Sequence, residues 1–162
     1  MDQGWEYLVS HHLPSRFSRT LRVRFGSRII HFCARCSGQG LGVLVWLAVL
    51  FGSLATHVPL FDARVQAPVA LLPLVPAWDW VTQSVGRRES RNSVRIASGL
   101  LLGFAFADLL ATIVSRHWIL FVGGVLILTA YVVALTVILR LTGAWRHVLV
   151  EHFPGIGLGP GL

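Results

Sequence analysis

Polar and apolar positions separate along the chain into a mixed opening segment and four apolar stretches. Residues 37–56 and residues 118–139 carry no formal charge. At about 1.5 Å per residue, each is long enough as a helix to cross about 30 Å of hydrocarbon. Residues 96–115 form a third such stretch with a single charge, Asp108. A fourth, residues 65–86, is interrupted by Pro68, Pro73 and Pro76. Pro68 suits a first helical turn, whereas Pro73 and Pro76 each remove a helical hydrogen bond and predict a kinked or broken helix. A break at membrane depth needs protein or water around it, not lipid. The pattern predicts an all-α membrane protein with four transmembrane helices. Gly38 and Gly42 in the first, and Gly99 and Gly103 in the third, leave faces bare enough for close helix approach.

The opening segment reads differently. Trp5, Tyr7, Leu8 and Val9 suit a short interfacial helix that ends before Pro14. Leu21-Arg22-Val23-Arg24-Phe25 alternates with period two, and Gly26-Ser27 suits a tight turn before Arg28-Ile29-Ile30-His31-Phe32. A small β-hairpin is expected there, delivering Cys33 and Cys36 to the membrane surface. The chain thus divides into an N-terminal segment (1–38), a membrane domain (39–139) and a Gly/Pro-rich tail (140–162).

Composition agrees. Hydrophobic residues make up 54% and charged residues 13% of the chain, and mean hydropathy is +0.68. Soluble domains carry roughly 25% charged residues. The 14 basic residues are all arginine and the net charge is +7. In so apolar a chain, such arginines set membrane orientation rather than bind nucleic acid. Residues 1–38 are too polar for a cleaved secretory signal, so the first span is expected to anchor the chain uncleaved. Arg16, Arg19, Arg22, Arg24, Arg28 and Arg35 precede it, Arg87, Arg88, Arg91 and Arg95 separate the second and third spans, and Arg140 and Arg146 follow the fourth. The other two loops hold Arg64 and Arg116. The positive-inside rule then puts both termini in the cytoplasm, together with the cysteine pair, Asp79, Gln83 and the second arginine cluster.

Cys33 and Cys36 are the only cysteines. A reducing cytoplasm disfavours a structural disulfide between them. Their spacing suits two of the four ligands of zinc or another transition metal, with His11, His12 and His31 available on the same segment. Arg35 and the helix start could instead activate a thiol for redox or nucleophilic chemistry, or the pair could be plain interfacial thiols. Ser37 stands where c-type haem attachment needs histidine.

Asp79 and Gln83 share a helix face. Asp79 is expected either to pair with Arg87, Arg88 or Arg95, or to act as a ligand or proton carrier inside the bundle. Asp108, deeper in the membrane, calls for a partner, water or a hydrogen-bonded packing role. Arg16, Arg35, Arg88 and Arg95, around a helix start that Ser90 or Asn92 could cap, suit an anionic lipid headgroup. His147 with Glu151-His152 lacks the zinc-protease spacing, and Gly155-Ile156-Gly157-Leu158-Gly159 lacks the strand and helix of a dinucleotide loop.

His11-x-x-Pro14-x-Arg16, Cys33-Ala34-Arg35-Cys36-Ser37-Gly38 and Asp79-x-x-Thr82-Gln83-x-x-Gly86-x-Arg88-x-Ser90-x-Asn92-x-x-Arg95 together resemble domain-of-unknown-function family 2085. The resemblance spans roughly residues 10–103 and implies a small multi-pass membrane protein, but no activity. The family pattern implies a cysteine before the first histidine. Ser10 stands there, leaving His12 and His31 as candidate replacements. The sequence therefore points to a membrane protein with a cytoplasmic-face metal or anion site, or alternatively to a small subunit of a larger membrane complex.

Overall fold

The computed structural model describes residues 14–86 and 88–145. A short 3-10 helix, Pro14–Arg19, leads into a two-stranded antiparallel sheet of β1 (Thr20–Phe25) and β2 (Arg28–Cys33). Thr20 pairs with Cys33 at its base and Phe25 with Arg28 at its tip. Gly26 turns the chain with φ 59°, a conformation glycine adopts without steric cost. The period-two pattern does not sort an inner from an outer face: Thr20 and Cys33 are buried at the base, while the tip, Phe25 included, is exposed. A lone ribbon has no second layer to cover either face.

The strand passes directly into α1, Ala34–Thr56, with Cys33 at the N-cap position. The helix therefore starts ahead of Ser37 and takes Arg35 and Cys36 into its first turn. His57, in the left-handed conformation, ends it.

The proline-interrupted stretch forms two short helices, α2 (Ala63–Leu71) and α3 (Leu74–Ser84). Asp62 caps α2 by accepting from the Arg64 amide at 2.8 Å. Because α2 begins at Ala63, Pro68 lies inside the helix rather than in its first turn. The break falls at Leu72-Pro73. Pro73 becomes the N-cap of α3 and Pro76 falls in its first turn, where a missing N–H costs little. One turn upstream, the Ala70 carbonyl accepts a hydrogen bond from the Tyr131 hydroxyl at 2.9 Å. Protein, not lipid, thus answers the polar backbone beside the break.

Helix α4 (Asn92–Val114) and helix α5 (Trp118–Leu141) follow. Neither Ser90 nor Asn92 caps α4. Its N-cap is Arg91, without a side-chain bond, and Asn92 donates to Ser18 O and Thr20 O at 3.0 and 3.1 Å. That side chain ties the start of α4 to the hairpin. Arg116, at φ 60°, turns the chain into α5, and His117 stacks on Phe61 with ring centroids 4.7 Å apart. The α1–α2 and α4–α5 connections therefore share the end opposite the hairpin.

The centre of the molecule is the pairing of α1 with α4. Gly38 faces the Ile96 backbone, Gly42 faces Leu100 and Phe104, Gly99 faces Arg35, and Gly103 faces Gln39. A Cβ at any of the four would collide with a backbone carbonyl of the other helix. Residue numbers rise together along both helices, so α1 and α4 run parallel. The fold is mostly helical, and α1, α4 and α5 are long and apolar enough to cross a membrane, with mean hydropathy of 1.7, 1.9 and 2.5. The fourth expected span is the broken α2–α3 pair. Helix α5 is the least covered, exposing Ile119, Leu126 and Val133 among others.

Candidate functional site

At the hairpin end, the start of α1, the end of α3 and the start of α4 converge on Asp79. Its carboxylate, 3% exposed, accepts from Arg35 Nη2 at 2.8 Å and from Arg88 Nη2 at 2.7 Å, one arginine to each oxygen. Gln83, one turn further along α3, donates its Nε2 to Asp79 Oδ2 at 2.8 Å and to the Asp79 carbonyl at 2.9 Å. The Gln83 carbonyl oxygen in turn accepts from Arg95 Nη2 at 3.0 Å, and Arg95 Nε donates to Ser90 O at 3.1 Å. Gln83 is a relay: it joins Asp79 to Arg95, which do not touch directly. Arg19 approaches from the 3-10 helix, 3.6 Å from Glu89.

Among the described residues, Arg35 and Arg88 share the single carboxylate of Asp79, and Arg95 reaches it only through Gln83. Arg35 Nε is buried and has no hydrogen-bond partner among the described residues. Arg35 lines an apolar cleft of about 200 Å³ with Pro76, Trp80, Leu102, Tyr131 and Leu135. A guanidinium bordering an apolar cleft suits a ligand with an anionic head and a hydrocarbon body.

The thiols flank this network. Cys33 is buried and Cys36 exposed, both as free thiols. They could supply two ligands to a zinc ion. His31 is engaged elsewhere: it stacks on Phe17 at 4.1 Å, and its Nδ1 shares a hydrogen bond with Thr20 Oγ1 at 2.9 Å. Among the described residues, no three His, Cys, Asp or Glu side chains gather into a metal-ligand set. His11 and His12, Arg87 and the His147–His152 segment lie outside the described residues, as does the Arg16 side chain.

The site residues read from the sequence thus fall into separate places. Arg35, Asp79, Gln83, Arg88 and Arg95 form one connected network. Asn92 anchors the hairpin. Asp108 lies apart, further along α4, where its Oδ1 accepts from Trp46 Nε1 at 3.0 Å and from Gln66 Nε2 at 3.1 Å. Sequence reasoning passed over Trp46, Gln66 and Tyr131. Gln66 carried a usable signal, as an amide set among apolar residues of a stretch read as membrane-spanning. Trp46 carried none, because a tryptophan in an apolar helix has no visible address.

Three apolar helices of crossing length, a broken helix sheltered by its neighbours and charged groups concentrated at one end define an integral membrane protein of the small helical-bundle class. The chain belongs to DUF2085, a family of predicted membrane proteins, whose family model matches residues 15–109. That range holds the hairpin, the whole arginine–aspartate network and Asp108. An uncharacterized protein of Methanothermobacter thermautotrophicus is 32% identical over 113 residues, covering 69% of this chain and 91% of that protein. No solved structure matches.

Proposed function

We propose that this is a four-crossing membrane protein, with both ends in the cytoplasm, that binds an anionic amphiphile through the arginine network. The parallel pairing of α1 with α4 supports four crossings. Two parallel spans can be joined only by a segment that returns across the bilayer, and α2–α3 is the only segment between them. The arginines at the hairpin end outnumber those at the other, which favours a cytoplasmic hairpin.

The observation that carries the ligand reading is Arg35: its Nε is a buried donor without a partner among the described residues, and the side chain lines an apolar cleft. A buried donor left unmatched costs about 1–3 kcal/mol. A phosphate or carboxylate head at this point would accept from it, while its chain follows Trp80 and Leu135. Asp79 holds Arg35 and Arg88 in position and leaves Arg35 Nε to the ligand. The alternative of a subunit in a larger complex rests on apolar faces that lipid tails also cover.

Dodecyl phosphate tests this on protein purified in a neutral detergent. It should raise the unfolding temperature saturably. Dodecyltrimethylammonium should not, and inorganic phosphate should act only at far higher concentration. Arg35→Gln should weaken the dodecyl phosphate effect about tenfold or more, as expected for one charge-assisted hydrogen bond. Equal stabilisation by both amphiphiles, or an unchanged Arg35→Gln, overturns the reading.

A further inference from the structure

Asp108 is 5% exposed and sits well inside a membrane-crossing helix. Both of its hydrogen bonds, from Trp46 and Gln66, arrive at Oδ1. Oδ2 has no hydrogen-bond partner among the described residues. No arginine or histidine among them pairs with it either. The polar neighbours are already committed: Thr112 donates to Leu109 O, and Tyr131 donates to Ala70 O.

Beside Asp108 lies a cavity of about 90 Å³ between α2, α4 and α5. Gln66, Thr112 and Tyr131 line it on the polar side, and Leu102, Phe106 and Leu120 are among its apolar walls. One ordered water needs only about 10–15 Å³ of such space. The cavity therefore has room for a small organic group, and its walls are too apolar to hold a cluster of waters. A charged carboxyl at this depth without a cation is costly, and such groups usually mark a ligand or ion path.

We infer that Asp108 is the anchor of a second binding site, which takes a small lipophilic ammonium ion. The ammonium N–H groups donate to Oδ2, and the hydrocarbon part lies against Leu102, Phe106 and Leu120. The ammonium supplies the missing positive partner. Trp46 and Gln66 hold the carboxyl plane by occupying the other oxygen. The anchor of this site, Asp108, lies outside the arginine network and the ligand's charge is opposite, although Leu102 and Tyr131 line both this cavity and the cleft beside Arg35.

The test is equilibrium dialysis of radiolabelled n-butylammonium against the full chain in neutral detergent, with 1-butanol and butyrate as competitors. Binding should be saturable, and neither competitor should displace the probe at comparable concentration. Asp108→Asn keeps an oxygen for Trp46 and Gln66 but removes the charge, and should weaken binding about tenfold to a hundredfold. Ala105→Phe fills the cavity from the turn of α4 next to Asp108 while keeping the carboxyl, and should abolish binding. Displacement by butanol at equal concentration, or unchanged affinity in Asp108→Asn, makes Asp108 a packing group and overturns the inference. If Asp108→Asn does not fold, Ala105→Phe decides, and undiminished binding in that variant overturns it.

Discussion

Asp79 illustrates how one side chain can organise several elements. It meets α1 through Arg35, the loop before α4 through Arg88, and α4 itself through Gln83 and Arg95. Removing one partner of a buried ion pair costs more than the pair contributes, because the remaining charge is left uncompensated. Asp79→Asn should therefore destabilise the protein by about 3 kcal/mol, near the low end of buried-pair losses, since both arginines keep some water contact. Arg88 is 41% exposed, so Arg88→Gln should cost under about 1 kcal/mol. Reversible unfolding in mixed micelles measures both, and equal losses would contradict the central place of the carboxylate. The arginine pairing of Asp79 was legible in part. Arg88 lies close by in sequence, but Arg35 is 44 positions away and only the fold brings it in.

Among the elements, the α1–α4 pair depends most closely on its sequence. Gly42 and Gly103 each face backbone of the other helix, whereas Gly40, in the same helix as Gly42, has open space around it. Gly42→Leu should cost about 3 kcal/mol or more, because backbone atoms cannot yield as side chains do. Gly40→Leu should stay within about 0.5 kcal/mol. Comparing the two unfolding free energies separates the packing effect from helix propensity. The glycine spacing made this interface readable from sequence. The proline pattern likewise announced the break between α2 and α3, though not that Pro73 and Pro76 would both settle at a helix start. The caps were not readable. Asn92 is chemically able to cap α4, but the hairpin's carbonyls compete for its amide and win. Nor could hydropathy show which helices run parallel, since it carries span length but not partner or direction.

For the molecule as a whole, the decisive quantity is which loops face which side. In a Cys33→Ser, Cys36→Ser background, a cysteine at Ser27 in the hairpin turn should react with a membrane-impermeant maleimide only after cells are opened. One at Ser115, in the α4–α5 turn, should react in intact cells. Labelling of both from the same side would leave α2–α3 as a re-entrant element and reduce the crossings. The two polar centres, the arginine network at the hairpin end and Asp108 further along α4, sit at different levels of the bundle, with Leu102 and Tyr131 between them.

The parallel pairing of α1 and α4 also constrains how the protein is made. Trp46 and its acceptor Asp108 are separated by 62 positions in the chain. With α2–α3 crossing as proposed, the first helix is made well before its partner, and its glycine stripe stays uncovered until the chain through Gly103 has been synthesised. A chain truncated before Gly103 would leave that stripe without the helix backbone that covers it.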